Sequence, residues 1–520
     1  MLRLPIVPFF VAAAVAGSLA APRAGAQQTS PAREAAVAWT SAHEGSILRE
    51  FTELLAIPNV ASDSVNIERN AELLLDMLQR RGVSARLLRV PGAPPVVFGE
   101  LAAEVDAPGA QTLVLYAHYD GQPVDTAEWN GSPWTPVLRS GAGVESAALP
   151  LPVDGARIDP EARLFARSAS DDKASIIAML GALDALKAAG VPRTINLKFF
   201  FEGEEEAGSP HLEQLLAANV DALRSDGWLF GDGPVHQSRR QQLVFGVRGV
   251  MGLELTVYGP RRPLHSGHYG NWAPNPIVTL TALLGGLRDT DGRILIDGFY
   301  DDVAPMTDTD RQAIAALPAV DSTLRSSLGL ARTEADNALL AERLMLPALN
   351  VRGIDGGATG ALSANVISTE ARASIDFRLV PDQEPARVRE LVEAHLRRNG
   401  WHLVTADPDS VTRVRYPRIV ELEWESGYAA SRAPLDGDFA RSLITRVSRG
   451  TSEPPLIVPI LGGSLPLSIF ERILDAPVVV VPIANHDNNQ HGANENLRIR
   501  NLWEGVGLYC VLMGGAGTAR

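Results

Sequence analysis

Residues 112–121 have the sequence TLVLYAHYDG, and this stretch decides the fold. Its first five residues form a short apolar run, which is typical of a strand buried on both faces of a sheet. His118 and Asp120 follow directly, so polar side chains come where the strand ends. Because ligands of an open parallel sheet bind beyond the carboxyl ends of its strands, the stretch predicts a strand that delivers two side chains to a site.

Further apolar strands and an apolar-faced helix alternate around this stretch. The sequence predicts strands at 195–201 and 477–481, and a helix at 173–189 that stops at Gly190, a residue suited to the position after a helix. Strands that alternate with helices favour an α/β fold with a mostly parallel sheet. We therefore predict such a sheet as the core of the chain.

The pattern changes between residues 247 and 427. The predicted elements there are a strand, a helix, a strand and a helix, at 250–258, 277–287, 369–379 and 384–398. This order predicts a smaller α+β domain inserted into the first one. The predicted division gives residues 27–246 and 428–520 to the α/β domain and residues 247–427 to the insertion.

The composition excludes several classes of protein. The 520 residues carry 47 basic and 61 acidic side chains, so the net charge is 47 − 61 = −14, which argues against nucleic acid as a partner. Cys510 is the only cysteine, which excludes intrachain disulfides and thiolate clusters. Any metal must therefore be held by histidine, aspartate and glutamate.

Residues 1–26 have the pattern of a secretory signal peptide. Arg3 supplies the positive start, an apolar stretch follows, and residues 24–26 form a small-x-small cleavage site. The alternative is a retained membrane anchor, against which two prolines and the short apolar span argue. We predict a secreted or periplasmic protein that has no stable membrane span after cleavage.

Carboxylates and histidines also lie beside the other predicted elements. The groups are Asp171 with Asp172, the four carboxylates of residues 202–206, Asp232, and His486 with His491. Each has an ordinary alternative explanation, such as a capped helix start, a solvated acidic loop or a turn. Four carboxylates after a buried strand are costly, however, unless cations or protons offset their charge. With His118 they suit a pair of divalent cations, Zn²⁺ foremost and Mn²⁺ or Co²⁺ as alternatives.

The order of these motifs resembles that of the co-catalytic di-zinc metallopeptidases of the carnosinase, glutamate carboxypeptidase and aminoacylase type. The motifs are His118-Tyr119-Asp120, Asp171-Asp172-Lys173-Ala174, Glu205-Glu206-Ala207-Gly208-Ser209, Asp232 and His491-Gly492-Ala493-Asn494-Glu495. Residues 264–267, 299–303, 377–381 and 462–466 are similar to the carnosinase-like dipeptidase branch. The resemblance covers essentially the whole chain after residue 26. Small residues replace the family's usual glycines at Ala117, in 166–168 and at Ala174.

The resemblance implies a set of metal ligands. Asp171 would bridge two ions, and the remaining ligands would be His118 and Asp232 on one ion and Glu206 and His491 on the other. His486 has no place in the family pattern. The peptide bond between Asp171 and Asp172 is expected to be cis in this family.

The resemblance also implies catalytic roles. Glu205 would be the general base that takes the proton of a metal-bridged water, and Asp120 would orient His118. His265 of the partner subunit would stabilise the oxyanion from the inserted domain, which would serve as lid and dimerisation domain. A homodimer follows from that arrangement.

The resemblance finally implies how the substrate is held. Arg378 and the turn at Gly463 and Ser464 would bind its terminal carboxylate. We therefore predict a metal-dependent dipeptidase or carboxypeptidase acting on small peptides. The alternatives are an N-acyl-amino-acid amidohydrolase, with acyl-amino-acid substrates, and a periplasmic peptide-binding protein without turnover.

Overall fold

The computed structural model describes residues 30–105, 110–451 and 453–514. The predicted signal peptide, residues 1–26, lies outside these residues. Helices of the first part are α1 (Pro31–Leu55), α2 (Ser64–Arg80), α3 (Lys173–Ala189), α4 (Leu212–Ala218) and α5 (Val220–Leu223). Its strands are β1 (Ser84–Leu88), β2 (Val96–Leu101), β3 (Thr112–His118), β4 (Val137–Arg139), β5 (Arg163–Phe165), β6 (Asn196–Glu202), β7 (Gly227–Phe230), β8 (Gln242–Val244) and β9 (Gly246–Val247).

The middle part of the chain has its own set of elements. Its strands are β10 (Gly249–Tyr258), β11 (Leu264–His265), β12 (Ala348–Asp355), β13 (Val366–Ile367), β14 (Glu370–Leu379), β15 (His402–Val404) and β16 (Ile419–Trp424). Its helices are α6 (Ser266–Tyr269), α7 (Pro276–Leu287), α8 (Asp308–Ala315), α9 (Asp321–Ser327), α10 (Leu340–Leu344), α11 (Pro385–Arg398) and α12 (Ser410–Arg415).

The last part of the chain completes the fold. Its strands are β17 (Ser431–Arg432), β18 (Leu456–Val458), β19 (Val478–Val480) and β20 (Asn496–Arg498), and its helices are α13 (Asp438–Gly450), α14 (Leu467–Leu474) and α15 (Ile499–Gly514). Within the described ranges, none of the helices combines the length and the apolar character that crossing a membrane requires.

The central sheet combines strands from both ends of the chain. Its order is β1-β2-β6-β3-β7-β19-β8-β18, and the neighbours from β6 to β19 run parallel. Antiparallel pairs occur at β1–β2, β2–β6 and β19–β8. The predicted α/β class with a mostly parallel sheet is therefore confirmed, and the antiparallel strands lie toward the two edges.

Burial on both faces explains why these strands are almost wholly apolar. Helices α1, α3 and α15 pack together on one face of the sheet. Helices α14 and α4 contact each other and contribute to the hydrophobic core on the opposite face. Helix α3 is buried nearly all round, as expected for a helix that is apolar on every side. It ends at Gly190, whose φ of 65° is left-handed. The sequence analysis did not predict α15, which packs against α3.

A second sheet is built from the middle part alone. Its order is β12-β14-β10-β16-β15, and its core is separate from that of the central sheet. Leu280 of α7 and Val392 of α11 belong to that core. The strand, helix, strand, helix order predicted for this region is present, while the limits 27–246, 247–427 and 428–520 stay a prediction.

One stretch of the predicted insertion packs on the central sheet and not on the second sheet. Helix α8 contacts β18, and Ile314, Met345 and Ile460 form a small buried cluster. Asp310 lies 3.5 Å from Arg432, across the same contact. Position along the chain did not predict this, because such packing depends on where the sheet edge lies in space.

Candidate functional site

The predicted metal ligands lie at the carboxyl end of the parallel strands. His118 is the last residue of β3, Asp171 precedes α3, Asp232 follows β7, and His491 lies in the long loop after β19. Parallel pairing sets His118 opposite Glu202 of β6 and Tyr116 opposite Phe230 of β7. The loops after β3, β6 and β7 therefore begin at one edge of the sheet, as the sequence predicted.

Glu205 and Glu206 reach this edge on a tight turn. The segment Glu205–Ala207 is a 3₁₀ turn that follows β6 and ends at Gly208. The φ of Gly208 is 82°, in the left-handed region that glycine adopts without steric cost. On a regular strand the two adjacent glutamates would face opposite sides, whereas the turn lets both face the site.

Asp171 lies between the two histidines. One carboxylate oxygen, Oδ1, is 2.9 Å from Nε2 of His118, and the other, Oδ2, is 3.2 Å from Nε2 of His491. The peptide bond from Asp171 to Asp172 is cis, as the resemblance implied. Each oxygen of Asp171 thus faces a different imidazole, which is the arrangement that a carboxylate shared by two ions requires.

Two groups of donor atoms surround this carboxylate. Among the described residues, His118, Asp171 and Glu206 offer donor atoms that all lie within 4.8 Å of one another, and so do His118, Glu205 and Asp232. Oε2 of Glu206 is also 3.4 Å from Nε2 of His491. The structure brings every predicted metal ligand into one cluster, while the assignment of ligands to individual ions stays a prediction.

The electrostatics of the cluster fit divalent cations. Burial, together with the charge of Asp171, raises the pKa of Glu206 to about 8 and that of Asp232 to about 6. Burial would also raise the pKa of Asp171, but hydrogen bonds with His118 and His491 hold it well below its usual range. Crowded buried carboxylates beside imidazole nitrogens form an O and N donor set that suits Zn²⁺ or Mn²⁺.

Asp120 supports both sides of the cluster. Its Oδ1 is 3.4 Å from Nδ1 of His118, which agrees with the predicted orienting role. Its two carboxylate oxygens also accept hydrogen bonds from the backbone N–H groups of Glu205 and Glu206, at 3.1 and 3.0 Å. The sequence did not predict this second contact, through which Asp120 ties the glutamate turn to the strand that carries His118.

Glu205, the predicted base, lies inside the cluster. Burial raises the pKa of its carboxyl group well above the ordinary value, His118 counteracts this, and Asp232 and Glu206 add to it. Its proximity to His118 and Asp232 allows two roles, general base or ligand. The role of base therefore stays a prediction, and the Discussion gives the measurement that separates the two.

Glu495 braces the loop that carries Asp171. It is fully buried, and its oxygens accept hydrogen bonds from the guanidinium of Arg167 at 2.9 Å and from the backbone N–H of Asp171 at 3.0 Å. Ser168 and Ser170 donate three more, at 2.8 to 2.9 Å. The sequence analysis quoted Glu495 within a motif but assigned it no role, because its partners lie more than 320 positions away.

Two glutamines also contact metal-ligand candidates. Nε2 of Gln122 donates to Oε2 of Glu206, and Nε2 of Gln490 donates to Oδ2 of Asp171, both at 2.7 Å. The sequence analysis missed both residues. Gln122 lies close to the H-x-D motif in the sequence and Gln490 lies next to His491, and this proximity was the one signal that could have identified them.

The substrate-binding candidates form a second group. Nη1 of Arg378 donates to Oγ of Ser464 at 2.8 Å, and its Nε donates to Asp376 at 3.0 Å. His265 stays apart from the catalytic cluster within its own chain. It is exposed, its Nδ1 accepts the backbone N–H of Gly267, and its ring lies 4.6 Å from that of His268.

The structure also separates His486 from His491, which spacing left open. His491 faces Asp171 and Glu206, whereas His486 is exposed and lies near His236. The pKa of His486 is lowered by burial and by nearby arginines. His491 is therefore the histidine that belongs to the cluster.

Known proteins share this sequence pattern and fold. The sequence model of peptidase family M20/M25/M40 matches residues 114–514. Cys-Gly metallodipeptidase dug1 of Schizosaccharomyces pombe is 28% identical over 423 residues, which are 80% of this chain and 82% of that protein. Beta-Ala-His dipeptidase of Homo sapiens is 29% identical over 427 residues, 80% of this chain and 76% of that protein. The M20 family metallo-carboxypeptidase Sso-CP2 from Sulfolobus solfataricus has a TM-score of 0.70 at 28% identity, covering 89% of this chain and 99% of that one.

Proposed function

Because the chain belongs to peptidase family M20/M25/M40 and is similar to metallodipeptidases, we propose that it is a metal-dependent dipeptidase that cleaves small peptides at the bond next to a free terminal carboxylate. One observation carries this proposal. Asp171 lies between two imidazoles, with further carboxylates and Glu205 within 4.8 Å of His118. The relatives are named for dipeptides and one neighbour for carboxypeptidase activity, which supports small peptides as the substrate class.

The chemistry follows from what the residues can do. Two divalent cations, for which we propose Zn²⁺, would supply positive charge that polarises the scissile carbonyl and favours a water nucleophile at neutral pH. Glu205 accepts the proton of the attacking water and returns it to the leaving amine. Asp120 keeps Glu205 in place through its hydrogen bond to the Glu205 backbone.

The proposal predicts a specific response to metal removal and to substrate type. Incubation with EDTA abolishes hydrolysis, and Zn²⁺ or Mn²⁺ restores it, because the cations supply the positive charge that polarises the substrate carbonyl and activates water. Unblocked dipeptides are cleaved faster than their C-terminal amides and faster than N-acetyl amino acids. Product analysis by mass spectrometry measures all three rates on one enzyme preparation.

The substrate panel also decides between the alternatives. Faster cleavage of N-acetyl amino acids would favour an amidohydrolase over a dipeptidase. Peptide binding that persists in EDTA, with no product in any metal, would contradict the proposal and favour a binding protein. An inactive variant lacking Asp171 is the control for contaminating peptidases.

We propose further that the chain forms a homodimer through the inserted domain. β12 is an edge strand of the second sheet, with Ile354 58% exposed on it. Leu362 and Trp272, also on this domain, are 81% and 79% exposed. An open strand edge with exposed apolar side chains is typical of an association surface. His265 and its strand partner Val366 are both exposed on the same domain, so His265 is accessible to a partner subunit.

Mixing two inactive variants tests this arrangement. If His265 acts across the interface, subunit exchange between Glu205→Gln and His265→Ala restores about a quarter of the wild-type rate, because half of the dimers then hold one complete site. Steady-state rates before and after exchange give the recovery, and light scattering gives the oligomeric state.

A matched mixture makes the outcome unambiguous. Exchange between Glu205→Gln and the double variant Glu205→Gln/His265→Ala leaves no complete site in any dimer and restores nothing. Absence of recovery in the first mixture, with dimers present, would place His265 in its own chain's site, whereas full activity of His265→Ala alone would place it outside catalysis.

The N-terminal pattern supports a third proposal, export from the cytoplasm. Residues 1–26 act as the secretory signal, and the secreted or periplasmic protein begins at Gln27. N-terminal sequencing of the protein from a secreting host measures this. An intact Met1 in the membrane fraction would favour a retained anchor instead.

A further inference from the structure

A half-buried guanidinium lies beside the turn expected to bind the substrate carboxylate. Arg248 precedes β10, and its backbone N–H donates to the carbonyl of Gly463 at 3.1 Å. Its Nε donates to the carbonyl of Gly462 at 3.3 Å. The side chain is thus fixed against the backbone that leads to Ser464, although no motif in the sequence drew attention to it.

Arg248 has no acidic partner. In the described part of the chain, no carboxylate oxygen lies within 4.0 Å of its guanidinium nitrogens. Asp376, whose charge acts on Arg248, already accepts hydrogen bonds from Nε of Arg378 at 3.0 Å and from Asn350 at 3.4 Å. Two guanidiniums therefore share one carboxylate, so the region carries an unbalanced positive charge that is costly when half-buried.

Arg248 remains charged despite this environment. Burial and the charge of Arg378 lower its pKa to about 10, while the charge of Asp376 acts in the opposite direction. At neutral pH the guanidinium is thus protonated. An anionic ligand would balance the charge of the arginine pair. Its hydrogen bonds with the guanidiniums would also be stronger than those between neutral groups.

The turn at Gly463 leaves room for such a ligand. A Cβ atom built on Gly463 would meet nothing closer than 4.0 Å, and the residue does not have a positive φ. Neither packing nor backbone conformation therefore requires glycine here. Open space over a bare backbone, next to Ser464, is what close approach of a ligand needs.

The same face of the second sheet leads to the catalytic cluster. Val250 pairs with Arg378 on one side and with Tyr428 on the other, and residues directly opposite in antiparallel pairs share a face. Burial raises the pKa of Tyr428, the charge of Glu205 raises it further, and Arg378 opposes both. Tyr428 is therefore near both Arg378 and the predicted base, so a substrate of dipeptide size can place its terminal carboxylate by the arginines and its amide by Glu205.

We infer that Arg248 supplies a second guanidinium to the carboxylate-binding site and, with Arg378, makes the enzyme select substrates that end in a free carboxylate. This inference rests on the proposed function and extends it to a residue outside the motifs. Arg378 already donates through Nε and Nη1 to Asp376 and Ser464, so its Nη2 and the terminal Nη groups of Arg248 are the donors left for the substrate.

The test compares one dipeptide as its free acid and as its C-terminal amide. The probe is the most rapidly cleaved dipeptide of the substrate panel, and its amide is measured as a competitive inhibitor. Arg248→Met raises the KM of the acid roughly 10- to 100-fold, the value of a lost charged hydrogen bond. The inhibition constant of the amide changes less than about threefold, because the amide makes no charged contact with the arginine.

The ratio of the KM of the acid to the inhibition constant of the amide separates a role in substrate specificity from a purely structural role. Arg446→Met is the matched control, since Arg446 is also half-buried with its pKa lowered by burial, and it donates to the carbonyl of Leu512 at 3.0 Å. This variant keeps the wild-type ratio. If Arg248→Met fails to fold, Arg248→Lys gives the same readout, with the acid weakened less because the charge is kept and the planar fork is lost.

Two results would overturn the inference. In one, Arg248→Met raises the KM of the acid and the inhibition constant of the amide by the same factor, which is the sign of a structural role. In the other, neither constant changes, so the arginine does not reach the substrate. If the wild-type enzyme cleaves no peptide of the panel in any metal, it is the proposed function that has failed, and the ratio is not measured.

Discussion

Replacing Glu205 with glutamine lowers kcat by roughly 10²- to 10⁴-fold while leaving the metal content of the wild-type protein unchanged, because the amide cannot take a proton from water. The change is nearly isosteric, and Asp120 still accepts the backbone N–H of residue 205. KM changes little, since the substrate carboxylate is bound elsewhere. Steady-state kinetics and elemental analysis of the same preparation give both quantities.

The metal content decides which role Glu205 has. Its carboxylate lies within 4.8 Å of donor atoms of His118 and Asp232, so loss of one ion together with activity would make it a ligand instead of a base. Glu204→Gln is the matched control in the same turn. Glu204 accepts hydrogen bonds from the backbone and ring of His211, away from the cluster, so we expect less than a tenfold loss of kcat.

Replacing Glu495 with glutamine destabilises the fold and weakens metal binding at the same time. Both oxygens of Glu495 face donors, so the amide NH₂ of glutamine necessarily meets N–H groups or a guanidinium. Arg167, which is 2% exposed, loses its counter-charge. Breaking a buried pair by removing one charge costs about 3–5 kcal/mol of unfolding free energy.

The effect on the metal follows from the bond to Asp171. The backbone of Asp171 is held by Glu495, and losing a partner of this kind weakens metal binding by roughly 10- to 100-fold. Chemical unfolding of the metal-free protein and competition with a chelator measure the two effects separately.

An exposed glutamate provides the control for this substitution. Glu453 is 74% exposed and lies 3.5 Å from Arg240. Glu453→Gln therefore changes the unfolding free energy by no more than about 1 kcal/mol and leaves metal affinity unchanged. Wild-type metal affinity in Glu495→Gln would contradict the bracing role, even if the variant were less stable.

Much of the fold was predictable because its signals are local. The strand at 112–118 and the helix at 173–189 are fixed by apolar pattern and by Gly190, all within a few residues of one another. The order of the motifs likewise predicted which side chains gather at the sheet edge. Parallel strands bring the loops after their carboxyl ends together whatever the exact register is.

Other features were not predictable because they join distant segments. Helix α8 belongs to the predicted insertion by position, yet Ile314 packs with Ile460 at the edge of the central sheet. Arg248 lies in no motif, and its importance appears only because Gly463 and Arg378 converge on it. A local sequence pattern cannot show whether a charged side chain will find an ion-pair partner in a segment about 200 residues away.

The sequence by itself determined the α/β class, the identities of the metal-ligand candidates and the absence of thiolate chemistry. These depend on residue types and on periodicity, which are properties of short stretches. Only the tertiary structure decided that His491 and not His486 faces Asp171, that Glu495 holds the Asp171 loop, and that Arg248 forms no ion pair with any residue the structure describes. The physical reason is that hydrogen bonds and ion pairs depend on distances of a few ångströms between groups whose separation is set by the sheet register and by loop paths.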